Sequence, residues 1–155
     1  MNAIYPLLLF LHLISVVVWV GGMFFAYVCL RPVAAAQLEP PVRLALWAGV
    51  FGRFFPWVWL AVALILASGL TMLLVHGMQG APLFMHLMLV TGLVMIAVYA
   101  YVYLDAYARL RQGVAAADWA RAGAALNQIR KLVGFNLALG IVTITIAKLG
   151  VYLSF

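Results

Sequence analysis

The chain has 155 residues, 69% of them hydrophobic and 8% charged, which leaves too little polar surface to cover a soluble globule. Three acids stand against nine basic residues, for a formal charge of +6. With no paired carboxylates, no catalytic-triad pattern and no phosphate-binding glycine loop, hydrolase chemistry finds no support. The expected class is an all-α integral membrane protein. Backbone polar groups in lipid must pair internally, and long apolar runs without period-two alternation choose helices over a barrel.

Four runs, about 4–30, 54–76, 83–105 and 131–153, are long enough to cross a hydrocarbon core of about 30 Å as helix. A single four-helix transmembrane domain therefore uses the whole chain. Eight of the nine basic residues fall in segments 31–53 and 105–131, which the positive-inside bias puts in the cytoplasm. The termini and the 71–88 hairpin then face outward. The positive charge is an orientation signal with some affinity for anionic lipid, not a nucleic-acid footprint.

In chain order, run one opens without a basic residue ahead of its apolar stretch, the pattern of an uncleaved, outward-starting helix rather than a signal peptide. His12, Ser15, Trp19, Gly22 and Ala26 recur at helical spacing and share a face. Its small residues admit a neighbouring helix, so His12 points into the bundle. The single cysteine, Cys29, has no internal partner and is read as packing. The first connection reads as a short amphipathic helix from near Pro41 that lies along the cytoplasmic surface. It turns Arg43 and Arg53 towards headgroups and sets Trp47 at the interface.

Run two starts near Pro56, and Ser68, Gly69 and Met72 form a narrow stripe leading to His76. Gly77, Gly80 and Pro82 break the helix and make the hairpin. Run three places His86 about one turn inside its outer end. It gathers Tyr99, Tyr101, Tyr103 and Tyr107 at its cytoplasmic end, where an aromatic belt belongs. Asp118 is the expected N-cap of a helix continuing into run four, which carries Asn136, Gly140, Thr143, Thr145 and, near its outer end, Lys148.

All three histidines fall in the outer leaflet, and the hairpin holds two of them with four of the seven methionines. Ionisable groups inside a membrane bundle are costly and point to function. The plain alternative is interhelical hydrogen bonding, and His76 can simply sit in water. Two chemistries use these residues. A b-type haem could take His12 and His86 as axial ligands if runs one and three are diagonal, with Lys148 on a propionate or merely snorkelling. Cu(I) favours imidazole and thioether, offered by His12, His76, His86, Met72, Met78, Met85 and Met88. Ordinary core filling is the plain alternative for each methionine.

The opening LHLISVVVWVGGMFF, the RFFPWVW start of run two, the MHLMLV start of run three and IRKLVGFNLALG at the start of run four resemble the copper-resistance protein D (CopD) family. That resemblance touches all four runs and implies copper handling at a bacterial inner membrane. The CopD family is similar in turn to the four-helix protoporphyrinogen oxidase (HemJ) family, which binds b-type haem; by that similarity His12 matches the histidine of the first span. His86 stands about where that oxidase family has a lysine, and Phe135–Leu139 lacks the Glu and Pro that follow its asparagine. Those departures weigh against protoporphyrinogen oxidation and leave haem binding open.

The leading expectation is thus a haem b-binding membrane redox protein, an oxidoreductase in its strongest form, ligated by His12 and His86. Copper binding or transport through the His/Met cluster is second, and a cofactor-free scaffold or partner subunit third. Expected partners are the lipid bilayer, a redox partner or quinone on the haem reading, and a periplasmic copper donor on the copper reading. A homodimer stays open, and no nucleic acid is expected.

Overall fold

A computed structural model describes residues 4–77 and 80–153, with backbone only at His76 and Leu153. Four long helices account for every regular element among the described residues. Helix α1 runs Ile4–Gln37 and contains a π-helical turn at Phe25–Leu30. Helix α2 runs Pro40–His76. Helix α3 runs Leu83–Ala115, with a second π-turn at Val102–Ala106, and α4 runs Trp119–Leu153.

All four are long and apolar enough to cross a membrane, so the chain is a multi-pass membrane protein. Their lengths of 34, 37, 33 and 35 residues correspond to about 50 Å each at a rise of about 1.5 Å per residue. That exceeds a hydrocarbon core of about 30 Å. The surplus lies in segments 31–53 and 105–131, so the bundle projects several turns past the apolar runs at what we term the basic end. The opposite end carries the α2–α3 hairpin.

Helices α1 and α2 pack along their length, as do α3 and α4. Lighter contacts join α1 to α4, α2 to α3 and α2 to α4. Consecutive helices are antiparallel, and α1 and α3 face each other across the bundle, where the Trp19 and Tyr99 rings meet at 5.9 Å. Large apolar side chains such as Phe10, Val17, Leu60, Val90 and Leu104 point outward, as lipid-facing positions should.

The connections are fixed by local chemistry. Gly77 ends α2 at φ 76°, a left-handed conformation that glycine adopts without a Cβ penalty. Asp118 caps α4 as expected, its Oδ1 accepting the Arg121 N–H at 3.0 Å. At the α3–α4 turn a Cβ on Gly113 would come 2.8 Å from the backbone nitrogen of Ala122, so only glycine permits that approach.

Two expectations are corrected. The short amphipathic helix from near Pro41 exists as helix but not as a separate surface element: α2 begins at Pro40 and continues through Pro56 without a break. An interior proline costs about 3 kcal/mol, yet Trp47, Phe51, Phe55 and Val58 keep one buried face on both sides of it. Each large apolar side chain so buried contributes roughly 1.5–3 kcal/mol, so several together outweigh the proline. The Trp47 ring meets Phe51 at a tilt of 33° and Phe51 stacks on Phe55, both pairs at 5.1 Å.

The tyrosines are the second correction. Tyr99, Tyr103 and Tyr107, four residues apart, share the face of α3 that meets these rings. Phe55 lies 5.6, 5.9 and 5.0 Å from them in turn. Buried hydroxyls need partners, and the Tyr99 and Tyr107 hydroxyls donate to the carbonyls of Phe55 and Ala48 at 3.0 and 3.3 Å. They form a core ladder; only Tyr101 of the four is exposed.

Candidate functional site

The hairpin half of the bundle contains the candidate ligands. His12, half-buried on α1, brings its Nδ1 to 3.0 Å from Ser68 Oγ on α2. The Ser68 hydroxyl donates to the carbonyl of Leu64 one turn back. A serine has a single proton, so with that proton spent the His12 Nδ1–H is the donor to Ser68. The tautomer is thereby set, and Nε2 carries the lone pair. A Cβ on Gly69 would lie 3.2 Å from His12 Cε1, so glycine seats the ring. Met72 is buried and stands one turn beyond Ser68 on the same face of α2. The stripe read from the sequence therefore faces α1 and receives His12.

Across the hairpin, His86 sits in the first turn of α3, half-buried, with its Nδ1 3.4 Å from the carbonyl oxygen of Pro82. Met85 and Met88 flank it and are half-buried. His76 is the last residue of α2; its side chain and the whole of Met78 lie outside the described residues. Lys148 is exposed on α4, its ammonium 5.5 Å from the centre of the Tyr152 ring, an arrangement in keeping with a snorkelling side chain. Cys29 is exposed within the first π-turn.

Deeper in the bundle the polar groups pair between helices. Thr143 donates to Thr91 Oγ1 at 2.8 Å, and Asn136 donates through Nδ2 to the Met95 carbonyl at 3.2 Å. The Asn136 Oδ1 is buried without a partner among the described residues. Asn136 borders a cavity of about 30 Å³ with Trp19, Met23 and Tyr99, room enough for a water molecule. Met23 and Met95 are core residues at 4% exposure. They were not singled out in the sequence because nothing in their local pattern separates them from ordinary packing.

A second cavity, of about 330 Å³, lies at the basic end between α1, α2 and α4, with Arg31, Arg43 and Arg130 in its wall. Neither cavity is lined by His12 or His86. Among the described residues no three His, Cys, Asp or Glu side chains converge as metal ligands.

Residues 48–149 match the family described as copper resistance protein D, CopD. No curated protein and no solved structure matches the chain. The matched stretch takes in Met72, His76, Met78, Met85, His86, Met88 and Lys148, while His12 precedes it. A match over well over half of the sequence, on four helices fit to span a membrane, places this chain in the copper resistance protein D family.

Proposed function

We propose that this protein binds Cu(I) as cargo in the hairpin half of the bundle, at a site built on His12 Nε2 and the Met72 thioether. Met85, His86 and Met88 would stand at the mouth of that site. The observation carrying the reading is the His12–Ser68 hydrogen bond of 3.0 Å. It orients the imidazole beside a stripe that continues to a buried thioether. Imidazole and thioether are both neutral, and Cu(I) is satisfied by few soft donors. A hydrogen bond behind the ligating ring fixes its direction and tautomer. Met95 and Met23 would offer further thioethers to copper passing deeper.

On the orientation given by the charge distribution, the hairpin faces the periplasm and a periplasmic copper donor would meet it first. Bis-histidine haem between His12 and His86 gains no support from the cavities, and a cofactor-free scaffold remains the plain alternative to both.

The test is a Cu(I) titration of detergent-purified protein against a chromogenic chelator, with an absorption spectrum of the same sample. His12→Ala and Met72→Leu each lower Cu(I) affinity by at least about tenfold, while Thr143→Val leaves it unchanged. Full retention of copper by both variants overturns the assignment. A Soret band lost in His12→Ala and His86→Ala would return the haem reading. Protein that stays colourless and metal-free after reconstitution with both would favour the scaffold.

A further inference from the structure

The cavity of about 330 Å³ at the basic end is unused by the copper reading, and its wall has two chemistries. Tyr27, Phe51 and Val133 supply apolar surface to it, and Arg31, Arg43 and Arg130 supply guanidiniums. Measured back from the hairpin end, about 20 helical residues fill the hydrocarbon core. That count places the boundary near residue 24 on α1, 56 on α2 and 133 on α4. On that count Tyr27, Val133 and Arg130 stand within about one turn of the boundary, Phe51 and Arg31 within about two, and Arg43 nearly four turns out, its side chain reaching the same cavity.

Among the described residues the three guanidiniums form no ion pair with an acid. Of the three acids in the chain, Asp105 pairs with Arg109 and Asp118 caps α4. Glu39 makes no ion pair within 4 Å among the described residues. Arg31 instead lies 5.0 Å from the centre of the Tyr27 ring. The Arg43 guanidinium donates a long hydrogen bond of 3.4 Å to the Ala35 carbonyl. Arg130 is exposed.

Guanidinium groups recognise phosphate oxygens through paired N–H donors. A volume above 300 Å³ is the usual range for a small-molecule site. We infer that this cavity is a binding site for an anionic phospholipid, its phosphodiester held by Arg31, Arg43 and Arg130 and its acyl stem laid against Tyr27, Phe51 and Val133. The apolar part of the wall and the place of Tyr27, Val133 and Arg130 at the edge of the hydrocarbon core favour a lipid over a free phosphate, which would need the arginines alone. The bound lipid would tie α1, α2 and α4 together where they leave the bilayer.

The test uses the full chain in uncharged detergent, with retained lipid counted by native mass spectrometry. Titration arms are phosphatidylglycerol, phosphatidylcholine and inorganic phosphate. The wild-type chain retains phosphatidylglycerol at least about tenfold better than phosphatidylcholine. Each of Arg31→Gln, Arg43→Gln and Arg130→Gln weakens that retention by about fivefold, and the triple variant loses the preference. Arg53→Gln with Arg111→Gln, outside the cavity, leaves it intact. Should the triple variant fail to fold, the single variants carry the same comparison. Equal retention of the two lipids, or an equal loss in the control pair, overturns the site. Inorganic phosphate that displaces phosphatidylglycerol at equal concentration overturns the lipid as its occupant.

Discussion

Ser68 acts through a proton it has already given away. Its hydroxyl hydrogen goes to Leu64, which leaves Oγ as the acceptor for His12 Nδ1–H at 3.0 Å. Removing the hydroxyl frees the imidazole to rotate and to exchange tautomers. Outer-shell partners of metal-binding histidines are typically worth about 10–100-fold in metal affinity, so Ser68→Ala weakens Cu(I) binding by at least about tenfold in the chelator titration. Gly69→Ala acts on the same ring by pressure instead, since its Cβ would sit 3.2 Å from Cε1, and produces a smaller loss. Unchanged affinity in both variants would detach the ring's setting from copper. The Ser68, Gly69 and Met72 stripe is legible from spacing alone, because helical period fixes which residues share a face. The tautomer is not, because it depends on a partner 56 positions away.

At the scale of the helix, the instructive element is α2. Its existence, its termination at Gly77 and the four-helix plan follow from apolar runs, charge and turn residues. Its continuity through Pro56 does not, because proline is the strongest local signal against a helix interior, whereas the compensating contacts come from α3. The i, i+4 rows Trp47–Phe51–Phe55 and Tyr99–Tyr103–Tyr107 each look unremarkable in one dimension; they become a ladder only when opposed. This predicts an inversion of the usual ranking. Pro56 is exposed, so Pro56→Ala restores an N–H without opening a hole and raises thermal stability in detergent, by up to about 3 kcal/mol. Phe55, at 4% exposure, lies among Phe51 and three tyrosines, and Phe55→Ala costs about 3–5 kcal/mol. A larger loss from Pro56→Ala than from Phe55→Ala would show that the proline, and not the ladder, aligns the two halves of α2.

For the whole molecule, orientation decides which end would meet copper and which would meet anionic lipid on the two proposals. Eight of nine basic residues lie in segments 31–53 and 105–131, and the helices carry those segments past the apolar runs at one end. Positive charge is retained on the cytoplasmic side during insertion, and lysine and arginine near that surface gain about 1 kcal/mol each from anionic headgroups. On that bias we propose that the hairpin, with its proposed copper site, faces the periplasm and the arginine-lined cavity the inner leaflet; the two proposed sites lie at opposite ends of the same helices. Single cysteines report this directly. In a Cys29→Ser background, Ala81→Cys marks the hairpin and Ala116→Cys the α3–α4 turn, and neither position is buried. A membrane-impermeant maleimide added to intact spheroplasts labels the cysteine at 81, and reaches the one at 116 only after permeabilisation. The reverse pattern would turn the molecule over: the His12 and Met72 site would draw on cytoplasmic copper, and the arginine cavity would face the outer leaflet.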